Sequence, residues 1–469
     1  MEGVAETAAD AGRPEGTAVG TQPQALRLSP QASPAPTTAV VLAAGRGSRM
    51  RSAHPKVLSR VGGITLIERV VRTLYAAGIE RVVVVVGYRS EEVIQALRAT
   101  RLRVEVIHNV AWQRGDLGSV MAGIRSVEGR CLVAMGDHVF GSKLVERVLE
   151  TPGELVVAVD RDLSRCWNLE DATKVRVDES GRLTALGKEL SEFDGVDIGL
   201  AVLEAAETLA PQSPGSTLWN QLKHDLIASG REVVACDAAG ALWADVDTPA
   251  EVRRAERELC RELGPKPGDG HIARHLNRRI SLPVSRALLR TSMTPGSAGA
   301  AAFLTVAAGA AAIASGQTWG LVLGGVLIQL GSALDGVDGE LARVALRTSP
   351  RGEVLDTVLD RVGDLAAVVA LVLAAGATDL AWAFGLAAAI ACLQIPFLGI
   401  LATRFGQSIR TYVRRDLRLL LFASVALVGQ PLGALAAVAV LGSLDAIRAF
   451  AVLLRRLPGP TSGVPARRL

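Results

Sequence analysis

Six apolar runs toward the C-terminal end, at 299–315, 319–335, 359–377, 380–402, 417–430 and 432–450, constrain this chain more than any other feature. They are rich in Ala, Leu, Val and Gly, and in a bilayer such segments satisfy their backbone polar groups by forming helices. Several fall short of the ~20 residues that usually cross a membrane, so tilting or continuation into flanking helix is expected. Segments 271–290, 343–361, 404–418 and 448–468 are rich in arginine, whereas the loops near 316, 378 and 430 carry no Lys or Arg. Under the positive-inside rule this alternation predicts a multi-pass domain in a cell (inner) membrane, with both termini and the arginine-rich loops facing the cytoplasm.

Where the second run ends, the chain places Asp335 and Asp338, followed by Asp356 and Asp360. Ionisable groups at the edge of a span are costly and point to function. On helices the first two share a face at i, i+3 and the last two at i, i+4, so two facing helices would aim four carboxylates at one point. Such a cluster repels itself unless hard cations occupy it, and oxygen donors of this kind suit Mg²⁺, Mn²⁺ or Ca²⁺. Gly336, Gly339 and Ala342 remove bulk, letting a second helix or a diphosphate approach the backbone. A solvated helix cap with scattered charge is the plain alternative, but it requires no such register.

The set Asp335, Asp338, Gly339, Ala342, Arg343, Gly352, Asp356, Asp360 resembles the complete signature of the CDP-alcohol phosphotransferase family, D-x2-D-G-x2-A-R-x8-G-x3-D-x3-D, without a departure. The resemblance implies an all-α, six-helix transmembrane domain that transfers a phosphoryl-linked group from a CDP-activated donor to an alcohol and releases CMP. It implies Asp335, Asp338 and Asp356 as metal ligands, with Asp360 completing that set and serving as the base for the acceptor hydroxyl. Gly339, Ala342 and Arg343 fall to the nucleotide, and a homodimer through the membrane domain is the family expectation.

Charged residues spread through the first 290 positions, where a soluble region is expected. A length of 469 residues allows two or three domains, and 49% hydrophobic with 4% aromatic residues fits a mixed soluble and membrane protein. A net charge of +4 without a basic, aromatic-laced stripe argues against nucleic acid as a partner. Cys131, Cys166, Cys236, Cys260 and Cys392 show neither metal-like spacing nor a disulfide framework, which fits a reducing cytoplasm. The first 37 residues, rich in Ala, Pro, Thr, Gly and Gln, read as a disordered leader.

The run 38–44 reads as a buried strand feeding Gly45-Arg-Gly-Ser-Arg49 and Pro55-Lys56. A glycine-rich turn after a strand exposes N–H groups to phosphate, and Lys56 adds a mobile charge, although neither the dinucleotide nor the Walker pattern is present. Helix patterns at 66–77 and 91–99 alternate with strand patterns at 81–86, 103–108 and 131–135, which implies a parallel sheet with helices on both faces. Asp137 then lies at the carboxyl end of a central strand, where open α/β sheets place ligands.

The set Leu42-Ala-Ala-Gly-x-Gly-x-Arg49, Pro55-Lys56 and Gly136-Asp137 resembles the sugar-phosphate nucleotidyltransferases across 38–258. Asn109-x-x-Trp112, Gly136-Asp-His138, Asp171-Ala-Thr-Lys-Val175, Gly187-Lys188-Glu-Leu190, Asp197-x-Gly199 and Trp243-x-Asp-Val-Asp-Thr-Pro249 narrow it to the CTP:inositol-1-phosphate cytidylyltransferases. In that family the domain precedes a CDP-alcohol phosphotransferase domain that makes di-inositol phosphate phosphate. The resemblance implies a Rossmann-like, mostly parallel α/β domain whose substrates are CTP and inositol 1-phosphate and whose product is CDP-inositol. Ala44, Gly45 and Gly47 would hold the CTP phosphates, Arg49 and Lys56 would neutralise the α-phosphate, Asp137 and Asp247 would hold Mg²⁺ or Mn²⁺, and Lys174 and Lys188 would bind the incoming phosphomonoester.

Bland readings stand beside these. Lys174 and Lys188 also read as solvated residues, and Asp245 and Asp247 as turn or cap residues before Thr248-Pro249. Asp245 is a further candidate metal ligand beside Asp247. Trp112 and Trp243 read as packing residues, and His54 and His138 are assigned no chemistry. Residues 259–298 form a linker and a basic, amphipathic helix at 271–290 suited to an anionic membrane surface; 299–456 is the membrane domain and 457–469 a tail. Arg404, Arg410, Arg414 and Arg415 precede the fifth run, and Arg414 and Arg415 are assigned to the acceptor's phosphate, with membrane anchoring the alternative. The acceptor is a second inositol 1-phosphate on this reading, a lipid alcohol on the alternative; a non-catalytic scaffold would have eroded ligands.

Overall fold

The computed structural model describes residues 36–50, 52–204, 217–263, 270–291 and 293–457. The leader, the tail from 458 onward and linker residues 264–269 lie outside the described residues, together with the expectations placed on them.

The soluble half is built on strands that bury both faces. Along Arg81–Val86, Val82, Val84 and Val86 enter one core with Ala39, Val41 and Ala43, while Val83 and Val85 enter the other with Val40 and Leu42. Successive side chains alternate between faces, so an unbroken apolar run fits a strand covered on both sides. Glu105–His108, Arg81–Val86, Thr38–Ala43 and Cys131–Met135 lie side by side and parallel, linked through the helices Leu66–Ala76, Ser90–Thr100 and Leu117–Ile124. Beyond Cys131–Met135 the sheet becomes antiparallel: Gly195–Leu203 pairs with it, with Leu155–Asp160 and with Lys174–Val177. The strand and helix alternation in the sequence stops near residue 135, which is why it anticipates the parallel half and not this flank.

The C-terminal region is helical, comprising Pro295–Ala314, Thr318–Val344, Pro350–Ala374, Asp379–Arg404, Arg415–Leu427 and Pro431–Arg456. Four of these, Pro295–Ala314, Thr318–Val344, Asp379–Arg404 and Pro431–Arg456, are long and apolar enough to cross a membrane. Pro350–Ala374 carries Asp356, Asp360, Arg361 and Asp364, and Arg415–Leu427 has only 13 residues. Pro295–Ala314 and Thr318–Val344 meet at glycines: a Cβ at Gly309 would lie 2.9 Å from the Gly324 carbonyl oxygen and one at Gly331 3.0 Å from the Val306 nitrogen. Small residues at such crossings let backbones touch where apolar burial alone gives no drive.

The halves share a core. Met50, Val61, Leu66, Val246 and Leu259 from the soluble side pack with Leu289, Ala298, Val337, Leu341 and Val344. At its edge Arg347 pairs with Glu68 at 2.9 Å, and Arg72 donates to the Leu346 carbonyl at 3.3 Å. The stretch 271–290 is helical, with a π turn at Ala273–Asn277 before Arg278–Leu288. One face of it is buried against protein: Ser281 and Ser285 each donate to Glu340 at 2.7 Å, and Asn277 donates to the Ser332 carbonyl at 3.1 Å.

Candidate active sites

In the soluble half, the loops at the carboxyl ends of the parallel strands converge on Lys56. Its ammonium, only 5% exposed, lies 2.7 Å from Asp137, 3.4 Å from Asp245 and against Asp247. Asp137 follows Cys131–Met135 through Gly136, where a Cβ would lie 2.6 Å from the Leu42 carbonyl oxygen. Gly47 adopts φ +64°, and a Cβ there would collide with the Lys56 side chain, so this turn requires glycine. Ala44 accepts from the Tyr88 N–H at 2.9 Å, while Gly45 has open space where a Cβ would stand.

Asp245 ends Trp243–Asp245, the strand paired with His138–Phe140, and Asp247 precedes the helix Pro249–Glu262. Thr248, not Asp247, caps that helix, and the Glu251 carboxylate accepts from the N–H groups of both Asp247 and Thr248 at 2.7 Å. The Asp247 carboxylate is thereby left for Lys56 and for Arg49 at 2.9 Å. Arg49 also pairs with Asp171, which Lys188 meets at 2.5 Å. His138 lies 2.8 Å from Asp137.

Burial opposes charge on Lys56, but Asp137 and Asp245 outweigh it and hold the ammonium above its ordinary pKa. Burial would raise Asp137 too, yet Lys56 and His138 keep its carboxyl well below the usual range. Asp245 is pushed up, by burial first and by Asp137 and Asp247 as well.

These groups line a cleft of about 220 Å³ that also takes in Lys188, Asp197, Trp219, Asn220, Lys223 and Trp243. Lys174 is not among the lining residues; its ammonium stands 5.3 Å from the Phe193 ring centroid. His54 bonds Glu92 at 2.8 Å at an exposed position, and Trp112 packs edge-on to Tyr88. The Trp243 indole N–H donates to the fully buried Asp160, a packing role at the cleft wall.

The second cluster lies among helices. Arg415, at the start of Arg415–Leu427, reaches Asp335 and Asp360 at 2.8 Å each and Asp364 at 3.2 Å. Asp364, 1% exposed, also receives Arg418 at 2.9 Å and Arg361 at 3.3 Å. Asp335 and Asp360 are therefore brought together as their register predicts, with Asp356 beside them. Asp338 lies on the side of Gly299, where a Cβ would come within 3.0 Å of its Oδ2. Gly339 and Arg343 adjoin, the guanidinium lying 3.1 Å from where a Gly339 Cβ would stand, and Ala342 is half-buried on the same helix. Arg414 donates to the Thr411 carbonyl at 3.2 Å.

The carboxylates of both sets fit a hard divalent cation, whereas the His138 imidazole is a softer donor. One ligand atom each from Asp137, His138 and Asp245, and one each from Asp335, Asp356 and Asp360, lie within 4.8 Å of one another. Asp247 and Asp338 stand outside these two groups.

Residues 39–170 match the family model described as MobA-like NTP transferase domain, and residues 297–452 match CDP-alcohol phosphatidyltransferase. A protein of Rubrobacter xylanophilus, named bifunctional IPC transferase and DIPP synthase, is 43% identical over 430 residues, covering 89% of this chain and 96% of that one. The chain belongs to the bifunctional IPC transferase and DIPP synthase family. A family member from Thermococcus kodakarensis is 36% identical over 70% of this chain and 74% of its own. Among solved structures, the inositol-1-phosphate CTP transferase from T. maritima aligns with a TM-score of 0.43 at 26% identity, covering 46% of this chain and 91% of that chain. In this IPC transferase and DIPP synthase family member, each matched segment holds carboxylates of one cluster, Asp137 in the first and Asp335, Asp356 and Asp360 in the second. The chain carries two enzyme domains, a nucleotidyltransferase and a CDP-alcohol phosphotransferase.

Sequence reasoning missed Lys223, whose ammonium pairs with Asp197 inside the cleft wall, and the buried Asp364–Arg418 pair. The D-x3-D-x3-D spacing from Asp356 through Asp360 extends to Asp364, a signal that was there to read.

Proposed function

We propose that residues 38–258 make CDP-inositol from CTP and inositol 1-phosphate, and that residues 299–456, joined through 259–298, transfer the inositol-phosphoryl group to a second inositol 1-phosphate. What carries the proposal is that one chain gathers two separate constellations, Lys56 among Asp137, Asp245 and Asp247, and Arg415 between Asp335 and Asp360.

In the first reaction a phosphate oxygen of inositol 1-phosphate attacks the α-phosphorus of CTP, and pyrophosphate leaves. Ala44, Gly45 and Gly47 offer the backbone that faces the triphosphate, while Lys56 and Arg49 neutralise charge growing on the α-phosphoryl oxygens. Lys188 binds the incoming phosphomonoester. Asp137 and Asp245 are the residues that would hold Mg²⁺, with Asp247 orienting Lys56 and Arg49. In the second reaction an acceptor hydroxyl attacks the inositol-bearing phosphorus of CDP-inositol, Asp360 takes its proton, and CMP leaves. Asp335 and Asp356 are the residues that would hold the metal of that centre, with Asp338, apart from them toward Gly299, and Gly339, Ala342 and Arg343 on the nucleotide side. Divalent metal, when bound, would supply charge neutralisation at the triphosphate of CTP and at the diphosphate of CDP-inositol. Arg415 stays with the carboxylates and leaves Arg414 the better placed for an acceptor phosphate. The arginine-rich loops support a multi-pass cell-membrane protein with both centres on the cytoplasmic side, so that the first product reaches the second centre without crossing the bilayer.

The test compares detergent-solubilised wild type with Asp360→Ala, given Mg²⁺, labelled CTP and inositol 1-phosphate, by following every phosphorus species. CDP-inositol is expected to accumulate in the variant, whereas wild type converts it to a di-inositol species and CMP. Wild type halting at CDP-inositol until a lipid alcohol is added would replace the soluble acceptor with a lipid. No pyrophosphate release from either protein with any phosphorylated polyol would overturn the first half.

A further inference from the structure

The cleft wall formed by Gly195–Leu203 and Trp219–Ala228 holds a charged pair that the roles above leave unused. The Lys223 side chain is 2% exposed and that of Asp197 4%, and the ammonium donates to the carboxylate. The other buried residues of these two elements are apolar, among them Val196, Ile198 and Leu200 on the strand and Leu222 and Leu226 on the helix. A buried ion pair seldom stabilises a fold more than apolar residues of equal volume would, so packing gives no reason for this one. Both residues line the cleft, together with Trp219 and Asn220.

The pair carries no net charge, so it adds little attraction for a phosphate, which Lys56, Arg49 and Lys188 already supply. What it offers is a donor beside an acceptor. The ammonium has three N–H groups and the carboxylate four lone-pair sites, of which Lys223 and the Gly199 N–H, at 2.9 Å, take two. Adjacent hydroxyls on a ring match that arrangement, one accepting from Lys223 while its neighbour donates to Asp197. Asn220, fixed by its bond to Thr173 Oγ1 at 2.7 Å, adds a further amide. Trp219, a buried residue of the cleft wall, holds the ammonium over its ring at 5.2 Å from the centroid and so fixes where Lys223 stands.

We infer that Asp197 and Lys223, with Asn220 and Trp219, form the subsite that reads ring hydroxyls of the phosphomonoester substrate and selects a polyhydroxylated ring. The inference rests on the cytidylyltransferase reading of this cleft. A buried donor and acceptor left without partners penalise a substrate that lacks the matching hydroxyls, so specificity is where the pair acts.

The experiment measures pyrophosphate release by the full chain in detergent, with CTP and inositol 1-phosphate, its ring-deoxy analogues or cyclohexyl phosphate. Wild type is expected to lose at least about tenfold in kcat/KM with one or more deoxy analogues and more with cyclohexyl phosphate. The double variant Asp197→Asn/Lys223→Met, which removes both charges at nearly constant volume, is expected to raise KM for inositol 1-phosphate at least about tenfold, to keep KM for CTP within about twofold, and to lose discrimination against the analogues. Wild type that accepts every analogue within about threefold overturns the inference whatever the variant does. So does a double variant that keeps the full discrimination. Absence of pyrophosphate release with inositol 1-phosphate itself would overturn the cytidylyltransferase reading, and this inference with it.

Discussion

Lys56 and Arg415 solve the same electrostatic problem in opposite kinds of scaffold. Each is a cation drawn in among three aspartates, Asp137, Asp245 and Asp247 in the soluble cleft and Asp335, Asp360 and Asp364 among the helices. In the cleft Asp137 follows the strand Cys131–Met135, while Asp245 ends and Asp247 follows the strand Trp243–Asp245, more than a hundred residues further along. Among the helices Asp335 comes from one helix, Asp360 and Asp364 from the next. Loops at strand ends assemble a site from distant sequence, whereas helix register assembles one from neighbours.

Removing divalent metal tests what the two centres share. Chelation with EDTA is expected to bring both pyrophosphate and CMP release down to background, and Mg²⁺ to restore both; loss of one product alone would mean that only one carboxylate set holds a cation. Lys56→Met separates them. Pyrophosphate release is expected to fall by about 10²–10³, while CMP release from supplied CDP-inositol stays at the wild-type rate. An equal fall in both rates would show that the two halves do not work independently. The smallest effect is expected at the join: Arg347→Ala removes a partly exposed pair with Glu68, and the thermal midpoint should shift by no more than about 1 kcal/mol of stability would cause. A larger shift would make that contact the main hold between the halves.

The same contrast governs how much could be read in advance. The helical cluster was legible because three of its acids, Asp335, Asp356 and Asp360, fall within a single pattern, although that pattern also drew in Asp338, which stands apart, and the parallel strands because valine runs buried on both faces admit few alternatives. The antiparallel flank was not, since Gly195–Leu203 follows a stretch without helical punctuation. Lys223 escaped notice for a related reason: on its own helix it looks like any solvated lysine, and only the fold sets it against Asp197. Lys174, singled out by motif, instead stands over Phe193, because strand alternation decides which way a residue faces and a motif does not. Toward the C-terminal end, hydropathy counted the runs 359–377 and 417–430 among six candidate spans, several of them short. Pro350–Ala374 loses apolar content to Asp356, Asp360, Arg361 and Asp364, and Arg415–Leu427 is simply short, at 13 residues.

Thr318–Val344 contains 27 residues, and a helix of that size is about 40 Å long, some 10 Å more than the hydrocarbon thickness of a typical bilayer. That overhang serves as both anvil and handle. Its final turns carry Asp338 and Arg343 past the point where Asp335 meets Arg415, and Leu341 and Val344 give the nucleotidyltransferase something to grip. An ordinary span of 20 residues would end before either task began.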